Sequence, residues 1–183
     1  EIKKERRIYM EQKKTIPTYE GQLRSHRIVM PQSIYECSGI RIFGRSIKAI
    51  AFTTDVAIIR NINADAIMAV YPFTPQPAIT EAIMAASDMP VLAGVGGGMT
   101  KGARVLNMAN DAELRGAFGV IVNAPTDNSI VAILKRYLEL PIIVTVASER
   151  TDIQGRVKSG ADILNVAAGP GTADLVAKIR HRR

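Results

Sequence analysis

The sequence predicts an α/β protein: a parallel (β/α) barrel of TIM type, compact or incomplete, with an open doubly wound parallel sheet as the alternative. Three observations carry this. From about residue 46 the chain shows six short, β-branched apolar runs. Each is followed by a turn and then by a stretch with helical spacing, the pattern of a βαβ chain. The runs are also nearly continuously apolar rather than alternating, as in strands covered on both faces.

Taken in order, the runs are IKAIAFTT (47–54), ADAIMAVYP (64–72), MPVLAGVG (89–96), AFGVIVN (117–123), LPIIVTVA (140–147) and ADILNVAA (161–168). Pro90 and Pro141 stand at or before strand starts, where a missing N–H interrupts no central ladder. Thr74 followed by Pro75 reads as an N-cap and first helical position ahead of Ile79, Ile83 and Met84. Thr126 or Asp127 opens the next helix, in which Ile130, Ile133, Leu134, Tyr137 and Leu138 share one face and Lys135 and Arg136 point away. Thr172 opens the last, with basic residues in its final turn, where they suit the helix dipole. A faint internal repeat relates NADAIMAV and MPVLAG to GAFGVIVN and LPIIVTV. Six units occupy residues 47–183, whereas a complete eight-unit barrel usually takes more than about 200 residues. RIVM (27–30) and IRIF (40–43) are the expected sources of two further short strands. A dinucleotide-binding sheet would carry its glycine fingerprint after the first strand; FTTD stands there instead, which favours the barrel.

At 183 residues, 47% hydrophobic and 22% charged, the chain has enough apolar material for one well-buried domain. The expected division is a basic N-terminal arm over 1–45 and the barrel domain over 46–183. The net charge is +7, and residues 1–46 hold 10 Lys/Arg against 5 Glu. Such an arm is suited to RNA or an acidic partner, the plainer alternative being a solvated extension. A single cysteine, Cys37, excludes an internal disulfide and fits a reducing, cytoplasmic setting. No apolar run is long enough for a bilayer, so no membrane association is expected. Histidine chemistry is constrained, because only His26 and His181 are present.

In a parallel α/β architecture ligands bind beyond the C-terminal ends of the strands. VLAGVGGGMTKG (91–102) places Gly96, Gly97 and Gly98 between a strand and a helix, followed by Thr100 and Lys101, so that backbone N–H groups can approach a phosphate. It matches neither a Walker A loop nor GxGxxG. The alternative reading is a turn or close packing. NVAAGPGTADLV (165–176) repeats the arrangement with Gly169, Gly171 and the capping hydroxyl of Thr172. Asn123 and Asn165, polar groups at apolar strand ends, are candidate ligand contacts. Asp55 and Glu149 are the candidate general acid/base carboxylates, although each also reads as a helix-capping residue. With no histidine beside them, they suggest no metal except Mg2+ held together with a ligand's phosphate. Tyr71 reads as core.

The βα rhythm together with GADILNVAAGPGT resembles the phosphate-binding (β/α)8 barrels, a broad group that includes ribulose-phosphate-binding enzymes and the glycerol uptake operon antiterminator. FTTDVAIIRN, AVYPFTPQP and GVGGGMTKG resemble an uncharacterised bacterial barrel family that carries a bare hydrolase label. The resemblance implies a small phosphorylated or otherwise anionic metabolite at the C-terminal face, with isomerase, lyase or hydrolase activity. For the antiterminator branch it implies a non-catalytic, ligand-sensing regulator that binds RNA through the arm. The chain departs from the sugar-phosphate enzymes in lacking paired aspartates or a Schiff-base lysine at a strand end, Lys48 lying at the wrong end of its strand. An incomplete barrel is further expected to be covered by another copy of the chain, as a homo-oligomer.

Overall fold

A computed structural model describes residues 17–18 and 28–181. Most of the basic arm, with His26 and the RNA-binding expectation, lies outside the described residues.

All six apolar runs form strands, each shorter than the run that encodes it. They are preceded by a hairpin of β1 (Ile40–Ile42) and β2 (Arg45–Ile47). The sheet strands are β3 (Ile50–Phe52), β4 (Ala66–Ala69), β5 (Val91–Gly96), β6 (Gly119–Val122), β7 (Ile142–Val146) and β8 (Ile163–Val166). Every pairing in this sheet is parallel, and the strands lie side by side in sequence order. That order excludes the doubly wound alternative, which needs a point where the chain returns to the middle of the sheet and reverses direction. The architecture is a curled, incomplete barrel. Its helices are α1 (Val56–Asn61), α2 (Pro77–Ala86), α3 (Ala103–Leu114), α4 (Asn128–Tyr137), α5 (Ile153–Lys158) and α6 (Thr172–His181).

The two further barrel strands are not found where the sequence suggested. IRIF does form a strand, but an antiparallel one, because Phe43 and Gly44 adopt positive φ (45° and 77°) and turn the chain back on itself. Of RIVM, Ile28 makes a single parallel bridge to Ile62. Thr74 caps nothing either: α2 begins at Pro77 behind Gln76, and residues 70–76 remain a loop. The core face of α4 is also rotated from the expected one. Val131, Leu134 and Leu138 are buried, at i, i+3 and i+7, while Ile133 and Tyr137 are exposed.

Alternation along the strands sorts the core into an outer and an inner layer. Ala93, Val95, Val120, Val122, Ile142 and Val144 face α3 and α4. Ala51, Ile67, Ala69 and Val91 pack with Ile59 of α1 and Ile83 of α2. The inner layer of Ala66, Met68, Leu92, Ile121 and Ile143 is closed from below by Ile42 and Ile47 of the hairpin. The hairpin therefore plugs the N-terminal end of the barrel, with Phe43 edge-on to Phe118 at 5.2 Å. Two aspartates fasten that end. Asp65 Oδ2 accepts from the N–H groups of Lys48 (2.8 Å) and Ala49 (2.9 Å), and Asp162 Oδ2 accepts from Ile142 N–H (2.9 Å). Each carboxylate so joins its own strand to the start of the neighbouring one. With the hairpin over this end and both carboxylates engaged by strand N–H groups, the opposite rim is the end left open to a ligand.

Candidate functional site at the C-terminal rim

The inner face changes character along its length. Two residues beyond the buried Ile121 and Ile143 and the half-buried Ile163, the same face carries Asn123, Thr145 and Asn165. Thr145 and Asn165 are register partners, and Asn165 Nδ2 donates to Thr145 Oγ1 at 3.2 Å. A cleft of about 170 Å³ opens on the same rim, beyond β4, β5 and β6. It is lined by Val70–Pro75, Gly94, Gly96–Thr100 and Asn123. This is smaller than the pockets of about 300–1,000 Å³ that enclose drug-sized ligands, and it suits a small metabolite or one moiety of a larger one.

The three glycines serve different ends. The β5–β6 register shifts between Gly94 and Gly96. A Cβ at Gly96 would lie 2.5 Å from Val105 Cγ2, so its absence lets α3 pack against the strand. Gly97 has φ 114°, and a Cβ there would come within 2.4 Å of Asn123 Cβ. Its N–H already donates to Thr100 O (3.1 Å), while Asn123 N–H donates to Gly96 O (2.9 Å). These two bonds fix the turn against the end of β6. Gly98, at φ 63°, is the exposed glycine of the trio, and a Cβ there would meet nothing within 4 Å. Thr100 is buried, whereas Lys101 is exposed and lies outside the cleft lining.

The remaining candidates stand apart. Gly169–Gly171 forms a 3-10 turn before α6, and the Thr172 hydroxyl accepts from Ala168 N–H (3.0 Å) and donates to Gly169 O (2.8 Å). This loop follows β8, so two strands separate it from the glycine loop after β5. Asp55 caps α1, its Oδ1 accepting from Ala57 N–H (2.7 Å) and Ile58 N–H (3.1 Å). Glu149 is ion-paired with Lys178. Asp55 follows β3 and Glu149 follows β7, with three strands between them. No group of three or more His, Cys, Asp or Glu side chains able to hold a metal occurs among the described residues.

Two contributors escaped the sequence reading. Tyr71, expected in the core, is half-buried in the cleft wall, and its hydroxyl oxygen accepts from Gln76 N–H at 3.0 Å. Phe73 lines the same wall while 75% exposed. The signal available was the string YPFTPQP, whose three prolines disfavour a helix before Pro77. Behind the rim, buried Arg156 of α5 reaches into the β6–α4 loop and donates to Ala124 O (2.6 Å), Asn128 Oδ1 (3.0 Å) and Thr126 O.

Neither a protein-family model nor a curated protein matches the chain. Among solved structures, it is similar to one from the BexX/CysO complex of Amycolatopsis orientalis, at 16% identity and TM-score 0.54 over 72% of this chain and 64% of that one. It is similar also to the 4-hydroxy-tetrahydrodipicolinate synthase of Methylacidiphilum fumariolicum SolV, at 17% and 0.50, over 65% and 47%. A third likeness is to the glycerol uptake operon antiterminator regulatory protein of Listeria monocytogenes, at 11% and 0.47, over 64% and 62%. The chain thus spans about half to two thirds of the length of these proteins. At such identities the first two likenesses show the fold alone, that of TIM-type barrels, as the sequence predicts.

Proposed function

We propose that the chain binds a small anionic metabolite, of the phosphorylated class, at the C-terminal rim and acts on it with isomerase, lyase or hydrolase chemistry. The observation that carries the reading is that the exposed Gly98 lines one cleft together with Asn123 and Tyr71. Polar groups gathered on an otherwise apolar inner face are what a ligand needs in order to be oriented. The enzymatic part of the reading takes its class from the fold's company alone.

A ligand that binds only the native state raises its unfolding temperature by mass action. A thermal-shift screen of small phosphorylated metabolites is expected to yield at least one stabilising compound. Asn123→Ala is expected to remove that shift while its own circular dichroism matches wild type. A full panel without any shift, or a shift unchanged in Asn123→Ala, contradicts the assignment of this cleft.

A further inference from the structure

Resting on that reading of the cleft, we infer that its ligand is amphiphilic: a phosphate monoester carrying an aromatic or short apolar substituent, with Tyr71 donating a hydrogen bond to the head group. Two observations made on different atoms lead to this.

The first concerns the Tyr71 proton. Its oxygen accepts the Gln76 N–H, which occupies one side of the phenol and fixes the ring at the cleft wall. A phenol has one proton to donate. Among the described residues none accepts it. At an open cleft that proton is given to water, and a ligand that enters and displaces the water must offer an acceptor in its place. The cleft is where such an acceptor would sit, and a phosphoryl oxygen is a strong one.

The second concerns the opposite chemistry. Phe73 and Met99, at 75% and 90% exposure, both line this cleft, together with Pro72 and Pro75. Single exposed apolar side chains are ordinary, but a contiguous set around a concave site marks a surface that becomes covered. A bare inorganic anion or a polyhydroxylated sugar phosphate would leave Phe73 and Met99 in water. A ligand with an apolar substituent would shield them and gain in affinity, since removing apolar surface from water is favourable. Asn123 and Gly98, which line the same cleft, supply the polar partners for the head group.

The test uses the full chain and calorimetric titration with two probes, phenyl phosphate and inorganic phosphate. Phenyl phosphate is expected to bind at least tenfold more tightly than inorganic phosphate. Phe73→Ala should reduce that ratio to threefold or less, and Tyr71→Phe should weaken both probes about tenfold without altering circular dichroism. Equal affinity of the two probes in wild type overturns the amphiphilic assignment and leaves the anion site standing. So does a ratio that survives Phe73→Ala. Undiminished binding in Tyr71→Phe removes the tyrosine donor. Failure of both probes to bind overturns the inference together with the cleft reading beneath it.

Discussion

Gly97 and Gly171 were alike in sequence, both glycines after a strand and before a helix, and only their surroundings tell them apart. Gly97 combines φ 114° with a Cβ position 2.4 Å from Asn123 Cβ, whereas nothing lies within 4 Å of a Cβ at Gly171. Gly97→Ala is therefore expected to cost at least about 2 kcal/mol in urea denaturation and to displace Asn123. Gly171→Ala should stay within about 0.5 kcal/mol of wild type. Asp55 poses the complementary question, since its position at a strand end suggested chemistry while its carboxylate holds two N–H groups of α1. Loss of the cap in Asp55→Ala is expected to cost about 1 kcal/mol. Asp55→Asn retains a capping oxygen and should recover most of that stability. Once a turnover assay exists, full activity in Asp55→Asn would show that no carboxylate chemistry resides there. Residue types at strand ends were thus legible in the sequence. Whether each faces a ligand, a helix or its own backbone was not, because that depends on φ angles and approaches of a few ångströms.

At the level of elements, the strands were the most legible feature, since a strand buried on both faces leaves a continuous apolar run that no loop imitates. The loops were legible only in part. The cleft needs the register shift at Gly94–Gly96 and the non-helical 70–76 segment, neither of which has a periodic signature. The β6–α4 loop shows how such a segment is held. Arg156, on a different helix, places its guanidinium among Ala124 O, Thr126 O and Asn128 Oδ1, without a carboxylate among these partners. Arg156→Met would leave those carbonyls without their donor, at an expected cost of about 2–4 kcal/mol by chemical denaturation, given about 1–3 kcal/mol for each unsatisfied buried group. Amides in the first turn of α4 should exchange faster in the same variant. Unchanged stability and exchange would show that the loop holds itself.

For the whole molecule, the decisive property is that the sheet is open. Among the described residues β3 and β8 each pair on one side only, and all four β8 residues are half-buried where the four residues of β4 and β6 are buried. Unpaired parallel edges are templates for association. The chain is accordingly expected to sediment as a homo-oligomer rather than as a 19.9 kDa monomer, and a monomer at every concentration tested would contradict this. No helix among the described residues is long and apolar enough to cross a membrane. The sequential strand order bears also on how the chain reaches this state. Each strand meets the one just before it, across a single helical connection, so the sheet can grow by annealing units onto an existing ribbon. A closed barrel must bring its first and last strands together, at the entropic expense of a loop as long as the domain. Among the described residues every strand pairs with its sequence neighbour, so assembly of these six units can follow the order in which a ribosome delivers them.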